Sequence, residues 1–172
     1  MAFILSDSER DEIAFARYMK YLARNKAIFP PRAFELATSD WFYNFRDHRC
    51  PHDAWLETFQ LSETSERKAQ LRSCSISPRL LGAYHDGHIE ISYPEVFSYS
   101  FQSFMAGKVT SHGDWRYDEF RLSEHGHLLH EIEWAGAPGA QGKSFSWLIE
   151  ADDIDFRWIP MNAGEARLMR AE

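Results

Sequence analysis

Residues 115–160 read WRYDEFRLSEHGHLLHEIEWAGAPGAQGKSFSWLIEADDIDFRWIP, and the period of this stretch decides the fold. Leu128, His130, Ile132 and Trp134 share one parity, with Leu129, Glu131 and Glu133 on the other. Phe145, Trp147 and Ile149 repeat the pattern, as do Ile154, Phe156 and Trp158. A period of two places successive side chains on opposite faces of a pleated strand. The separators EHGH, AGAPGAQG and DD have turn or loop composition. Four short strands so spaced predict an antiparallel meander in which each strand has one buried and one wet face.

Working back toward the N-terminus, alternation continues to about residue 52. In Asp47–Leu61, DHRCPHDAWLETFQL, the residues Trp55, Phe59 and Leu61 share a parity interrupted by Glu57, so they are expected to point inward. CSISPRLLGAY and IEISY flank Asp86-Gly87, which predicts a two-residue hairpin turn with positive φ at Gly87. Pro78 within the first of these runs predicts a bulge or an edge position. Before residue 46 the period is helical. Ser6 and Glu9 have the spacing of a capping box, and Ile13, Phe15, Tyr18, Met19 and Leu22 form a helical stripe over 6–26. FPP at 29–31 stops that helix, and Pro31 can open a second short one through Leu36.

The expected architecture is therefore α+β in one domain of 172 residues: a helical portion over 1–46, an antiparallel β portion over 52–160 and a tail over 161–172. About seven strands form a sheet that is curled or sandwiched. Its expected core includes Trp55, Leu81, Ile91, Ile132, Trp134, Trp147 and Trp158. Hydrophobic residues at 44% supply enough apolar surface to offset the entropy of folding, which excludes a disordered chain.

Charge and cysteine content narrow the function classes. Residues 114–155 hold Arg116, Arg121 and Lys143 against ten acids, an excess equal to the whole formal charge of −7. Phosphate recognition needs clustered Lys and Arg, so nucleic acid is a poor partner and a basic protein a better one. Two cysteines, Cys50 and Cys74, are too few for a disulfide scaffold. The opening MAFILSDSERDE lacks the basic and apolar regions of a secretory signal, and no apolar run approaches a membrane span, which together predict a cytoplasmic location. The oligomeric state is left open.

His48, Cys50 and His52 lie within five positions, and His125, His127 and His130 within six, yet neither group has the spacing of a zincin or a zinc finger. No metal or other cofactor is expected. The elbow of the α/β-hydrolases, the dinucleotide-binding glycine motif and the Walker loop are all missing from the sequence. An enzyme reading, a small hydrolase or metal-dependent enzyme with His and Asp at strand ends, would draw on His52, Asp53, His85, Asp86 and His130 as an acid–base set, because imidazole beside a carboxylate titrates near neutrality. Adjacent strand residues point to opposite faces, so neither His-Asp pair is a dyad by proximity. Asp53 before a strand and Asp86 in a turn are better read as local backbone caps. The six tryptophans sit mostly on apolar parities of acidic strands and read as core, not as a stacking platform.

The non-enzymatic reading is a protein-binding module. Its docking face would comprise Asp118, Glu119, Glu131, Glu133, Asp152 and Asp153, the outward carboxylates of the meander. CPHDAWLETFQL, RLLGAYHDGHIEISYPEV and DEFRLSEHGHLLHEIEW, spanning about residues 50–160, also resemble a group of small uncharacterised bacterial proteins with a His-Asp-x-x-Leu entry to a β-rich region, some associated with toxin immunity. The matching positions are His52, Asp53 and Leu56, with Leu81 to Gly87. That resemblance implies no catalytic residue. It implies a compact cytoplasmic inhibitor that masks the basic substrate groove of a toxin.

Overall fold

The computed structural model describes residues 3–5, 12–66, 71–103, 111–135 and 144–162. Two helices, α1 (Glu12–Asn25) and α2 (Pro31–Thr38), precede eight strands. These are β1 (Trp55–Glu66), β2 (Leu71–Leu81), β3 (Gly87–Ser92), β4 (Val96–Phe101), β5 (Trp115–Leu122), β6 (Leu128–Trp134), β7 (Phe145–Ala151) and β8 (Asp155–Pro160). All pair antiparallel, in two open sheets with strand orders β1-β2-β3-β8 and β4-β7-β6-β5. The expected α+β class is what the chain adopts. The proposed cap at Ser6 and the tail beyond Asn162 lie outside the described residues.

The inner faces of the two sheets share one buried cluster with the helices. Ile76, Leu80, Ile89 and Ile91 come from the first sheet and Phe120, Leu128, Ile132, Trp134, Trp147 and Ile149 from the second. β6 and β7 bury every second residue, as their alternation predicts. Leu81, Ile91, Ile132, Trp134 and Trp147 are buried, whereas Trp158 is only partly so.

A sandwich has two flanks where sheet edges meet, and here they are treated differently. On the β5–β8 flank the N-terminal portion forms a plug. Phe42 packs against both Phe120 of β5 and Phe156 of β8, with ring centroids 5.5 and 5.9 Å apart, and Trp41 adds a second contact to Phe156 at 5.1 Å. The plug also satisfies the edge backbone of β5. The Tyr18 hydroxyl accepts the Phe120 N–H (2.8 Å) and donates to the Phe120 carbonyl (3.1 Å), while Tyr21 accepts the Leu122 N–H (2.8 Å). Nearer the start of β5, Trp115 pairs its N–H with the Ala54 carbonyl and its carbonyl with the Asp53 N–H. An edge that would otherwise template another strand is thus closed within the chain.

Four expectations are corrected. Trp55, Phe59 and Leu61 are 48%, 37% and 39% exposed: they lie on a sheet edge, and alternation specifies a face without specifying what covers it. The 82–86 turn has its left-handed residue at His85 (φ 54°), and Gly87 already belongs to β3. Gly87 is needed for a different reason, since a Cβ there would lie 2.2 Å from the Trp158 ring. β1 and β2 also extend beyond the apolar runs read in the sequence, with β1 continuing through polar residues 62–66 and pairing Glu66 with Leu71. Finally, the eighth strand, β4, was not among the seven expected. Pro78 sits inside β2, next to the point where its regular ladder with β3 ends at Arg79.

Two substitutions test this account. Tyr18→Phe leaves both backbone groups of the fully buried Phe120 without their partner and should cost about 1–3 kcal/mol in chemical denaturation. Gly87→Ala should cost a similar ~1–3 kcal/mol through overpacking against Trp158, and pairing it with Trp158→Leu should recover part of that loss.

Candidate functional site

The histidines of the acid–base set are held apart by different partners. His130 is fully buried in β6, where Nε2 faces Asp118 Oδ2 (3.2 Å) and Nδ1 faces the Tyr93 hydroxyl (2.6 Å). The indole N–H of Trp115 donates to the other Asp118 oxygen at 3.1 Å. Donation from Nε2–H to the carboxylate and from Tyr93 O–H to Nδ1 satisfies every member, as a polar network in a core requires. Burial pushes the Tyr93 hydroxyl well above its ordinary pKa, with the Asp118 charge adding to the effect, so it stays a neutral donor. This resembles a catalytic relay in composition only, since its members are sealed inside the sandwich.

His52 bonds the Arg116 carbonyl through Nδ1, stacks on Phe45 with centroids 3.8 Å apart and lies 3.6 Å from Asp53 through Nε2. His85 packs edge-on against Trp55, and Asp86 is bonded not by His85 but by His48, at 2.5 Å. His48, which the acid–base set omits, stacks on Tyr84 at 4.1 Å. Asp53 and His85 both occupy left-handed backbone (φ 61° and 54°), so the two strand-entry positions carry local strain. His52, His85 and His130 share no partner. Cys50 turns inward and donates its thiol to the Phe42 carbonyl at 2.9 Å, with burial raising its pKa to about 12. Among the described residues no group of three or more His, Cys, Asp or Glu side chains is placed to hold a metal.

The expected acidic face is also divided. Asp118 belongs to the core network just described. Glu119 is fully buried and accepts the N–H groups of Phe3 (2.9 Å) and Ile4 (2.8 Å), with Arg121 at 3.1 Å. Burial raises its pKa, the backbone donors and Arg121 acting in the opposite sense. Asp153, 9% exposed, accepts the N–H groups of Arg32 (3.0 Å) and Ala33 (3.0 Å), capping α2 from the β7–β8 turn in place of Pro30. Glu131 is paired with Arg121, Glu133 is half-buried, and Asp152 is exposed. Asp118, Glu119 and Asp153 are therefore structural and cannot form a docking face.

The surface that remains open is the other flank, where edge strands β1 and β4 meet. The Phe59 ring lies 4.9 Å from Phe101 and 5.2 Å from Trp147, and Tyr99 stacks on Phe101 at 5.1 Å. Leu61 and Tyr99 are 39% and 49% exposed beside them. Register places Phe59 and Leu61 opposite Pro78 and Ile76, and Tyr99 and Phe101 opposite Ile149 and Trp147, so all four continue the inner faces of their sheets. They form an apolar shelf at the mouth of the sandwich. Behind it, the indole N–H groups of Trp134 and Trp147 are buried and find no acceptor among the described residues. Further along the flank a cleft of about 450 Å³ lies between the arm of the β1–β2 hairpin and β4, lined by Thr64, Arg72, Ser73, Cys74, Glu95, Val96 and Phe97. β1 carries Glu57, Glu63 and Glu66 and no lysine or arginine. Sequence reading finds the parity of Phe59 and Leu61 but neither strand β4 nor the edge, because edge status depends on which strands pair.

No helix among the described residues is long and apolar enough to cross a membrane. Comparison with protein-family models, with curated proteins and with solved structures finds no match to the chain.

The thiol environments differ enough to be read chemically. Iodoacetamide at pH 8 should label the half-exposed Cys74 and leave Cys50 unmodified in the native protein, as mass spectrometry of the peptides will show; labelling of both at equal rates contradicts the buried thiol.

Proposed function

We propose that the chain is a protein-binding module that takes up an extended, basic segment of a partner along its open flank. The observation that carries this reading is β1 itself, a twelve-residue edge strand with Phe59 and Leu61 exposed on its inner face. Beyond Trp55, which bridges Asp114, and the bulge between Leu56 and Thr58, β1 carries neither the lysine nor the proline that ordinarily blunts a free edge. The opposite flank has such a cover, in Tyr18, Tyr21 and Phe42. A segment added to β1 gains main-chain hydrogen bonds along the edge, and every second side chain can reach the shelf of Phe59, Leu61, Tyr99 and Phe101.

Charge selects the segment. Glu63 on β1 and Glu95 and Asp152 beside β4 favour lysine and arginine in the added strand, within a chain of net charge −7. An immunity-type inhibitor that engages a basic toxin is one such module. In this reading the apolar shelf supplies affinity, and the carboxylates supply rate and selectivity.

A decapeptide of alternating lysine and valine is the probe. Titrated into isotopically labelled protein at 50 mM salt, it should shift the amide resonances of β1 and of Tyr99 and Phe101, with at least tenfold weaker binding at 300 mM. Leu61→Lys and Tyr99→Lys should each weaken it by a similar factor while leaving the circular dichroism spectrum unchanged. Shifts confined to other strands, or sedimentation showing that a second copy of the chain already covers β1, would overturn the proposal.

A further inference from the structure

The outer face of the first sheet holds a second, chemically different feature. A trough of about 500 Å³ crosses all four strands, lined among others by Gln60, Ser77, Arg79, Glu90, Ser92 and Arg157. Its construction follows from register. One row across the strands is Gln60, Ser77, Ser92 and Asp155, with Gln60 opposite Ser77 and Ser92 opposite Asp155, and with the two serine hydroxyls 3.4 Å apart. The next row is Thr58, Arg79, Glu90 and Arg157, each opposite the one before it. The two serines at the centre of the first row lie beside the long Arg79, Glu90 and Arg157 of the second, which gives a serine floor beside a charged wall. The wall is internally braced: Arg79 contacts Glu57 (3.2 Å) and Glu90 (3.4 Å), and Arg157 contacts the other Glu90 oxygen.

We propose that this trough is a binding site for a neutral polyhydroxylated ligand, an oligosaccharide. A sugar hydroxyl both donates and accepts, and the lining offers hydroxyls and an amide that do the same, carboxylates that accept and guanidinium groups that donate. The ion pairs hold these groups in place before the ligand arrives, which lowers the ordering cost of binding. The same pairing argues against an anion, because both arginines already face Glu90 and the trough also contains Asp155. The volume falls within the roughly 300–1,000 Å³ of small-ligand sites. This site lies on the outer face of the sheet and does not depend on the occupant of the open flank.

The test is a titration of isotopically labelled protein with a panel of neutral trisaccharides of glucose, galactose, mannose and N-acetylglucosamine, alongside inorganic phosphate and the sulfated disaccharide unit of heparin. At least one neutral trisaccharide should move the amide resonances of Ser77, Arg79, Glu90, Ser92 and Arg157 in a saturable way by 10 mM. The double variant Ser77→Val, Ser92→Val should weaken that binding at least tenfold with the native thermal midpoint retained. If this variant fails to fold, Arg157→Ala serves instead, since that side chain is largely exposed and its loss should weaken binding at least threefold. Silence of these resonances across the neutral panel, or a response to phosphate or the sulfated sugar alone, would overturn the proposal.

Discussion

The hydroxyl of Tyr18 holds both backbone groups of Phe120, and the way the rest of the sandwich is closed depends on that contact. Two open sheets stacked face to face have four edges, and every unpaired edge exposes backbone donors and acceptors that must find water or a partner. Here the first quarter of the chain is used on one flank. α1 brings Tyr18 and Tyr21 to β5, the segment after α2 inserts Trp41 and Phe42 between β5 and β8, and Asp153 returns the favour by capping α2. Helices and sheets are thereby tied in both directions, by tyrosine hydroxyls on strand backbone and by a strand-turn carboxylate on helix backbone.

This arrangement explains which parts of the fold are legible in the sequence. β6 and β7 are central strands with one face on the core, so their strict alternation maps directly onto burial. β1 has the same alternation, yet Trp55, Phe59 and Leu61 are exposed, because no sequence pattern records that a strand ends up at an edge. The polar end of β1 hides its strand for the converse reason: residues 62–65 lie beyond the core, where alternation has no apolar face to mark. Asp86-Gly87 looks like a turn pair, but the glycine is required by the Trp158 ring and not by its own φ.

The chemical residues were harder to read, since their roles are set by long-range partners. Asp118, Glu119 and Asp153 have the composition of a solvated acidic surface, and each is instead a buried acceptor: Asp118 for His130 across the sheet and for Trp115 on its own strand, Glu119 for the N–H groups of Phe3 and Ile4, and Asp153 for the start of α2. Asp86 lies in the 82–86 turn but does not cap its own backbone as expected: among the described residues one carboxylate oxygen meets His48, 38 residues away, and the other is buried without a partner. Which carboxylate the fold buries is not legible locally, because burial of an acid depends on donors that only the folded chain assembles.

The unequal flanks also set a direction for assembly. A chain with free edges on both sides can pass strands from copy to copy without end, which is how fibres grow. In this molecule the N-terminal plug occupies the β5 edge, and the edges left to take a strand, β1 and β4, lie together at the other flank. Strand addition at β5 is thereby blocked, and whatever joins the sheets joins them at one side.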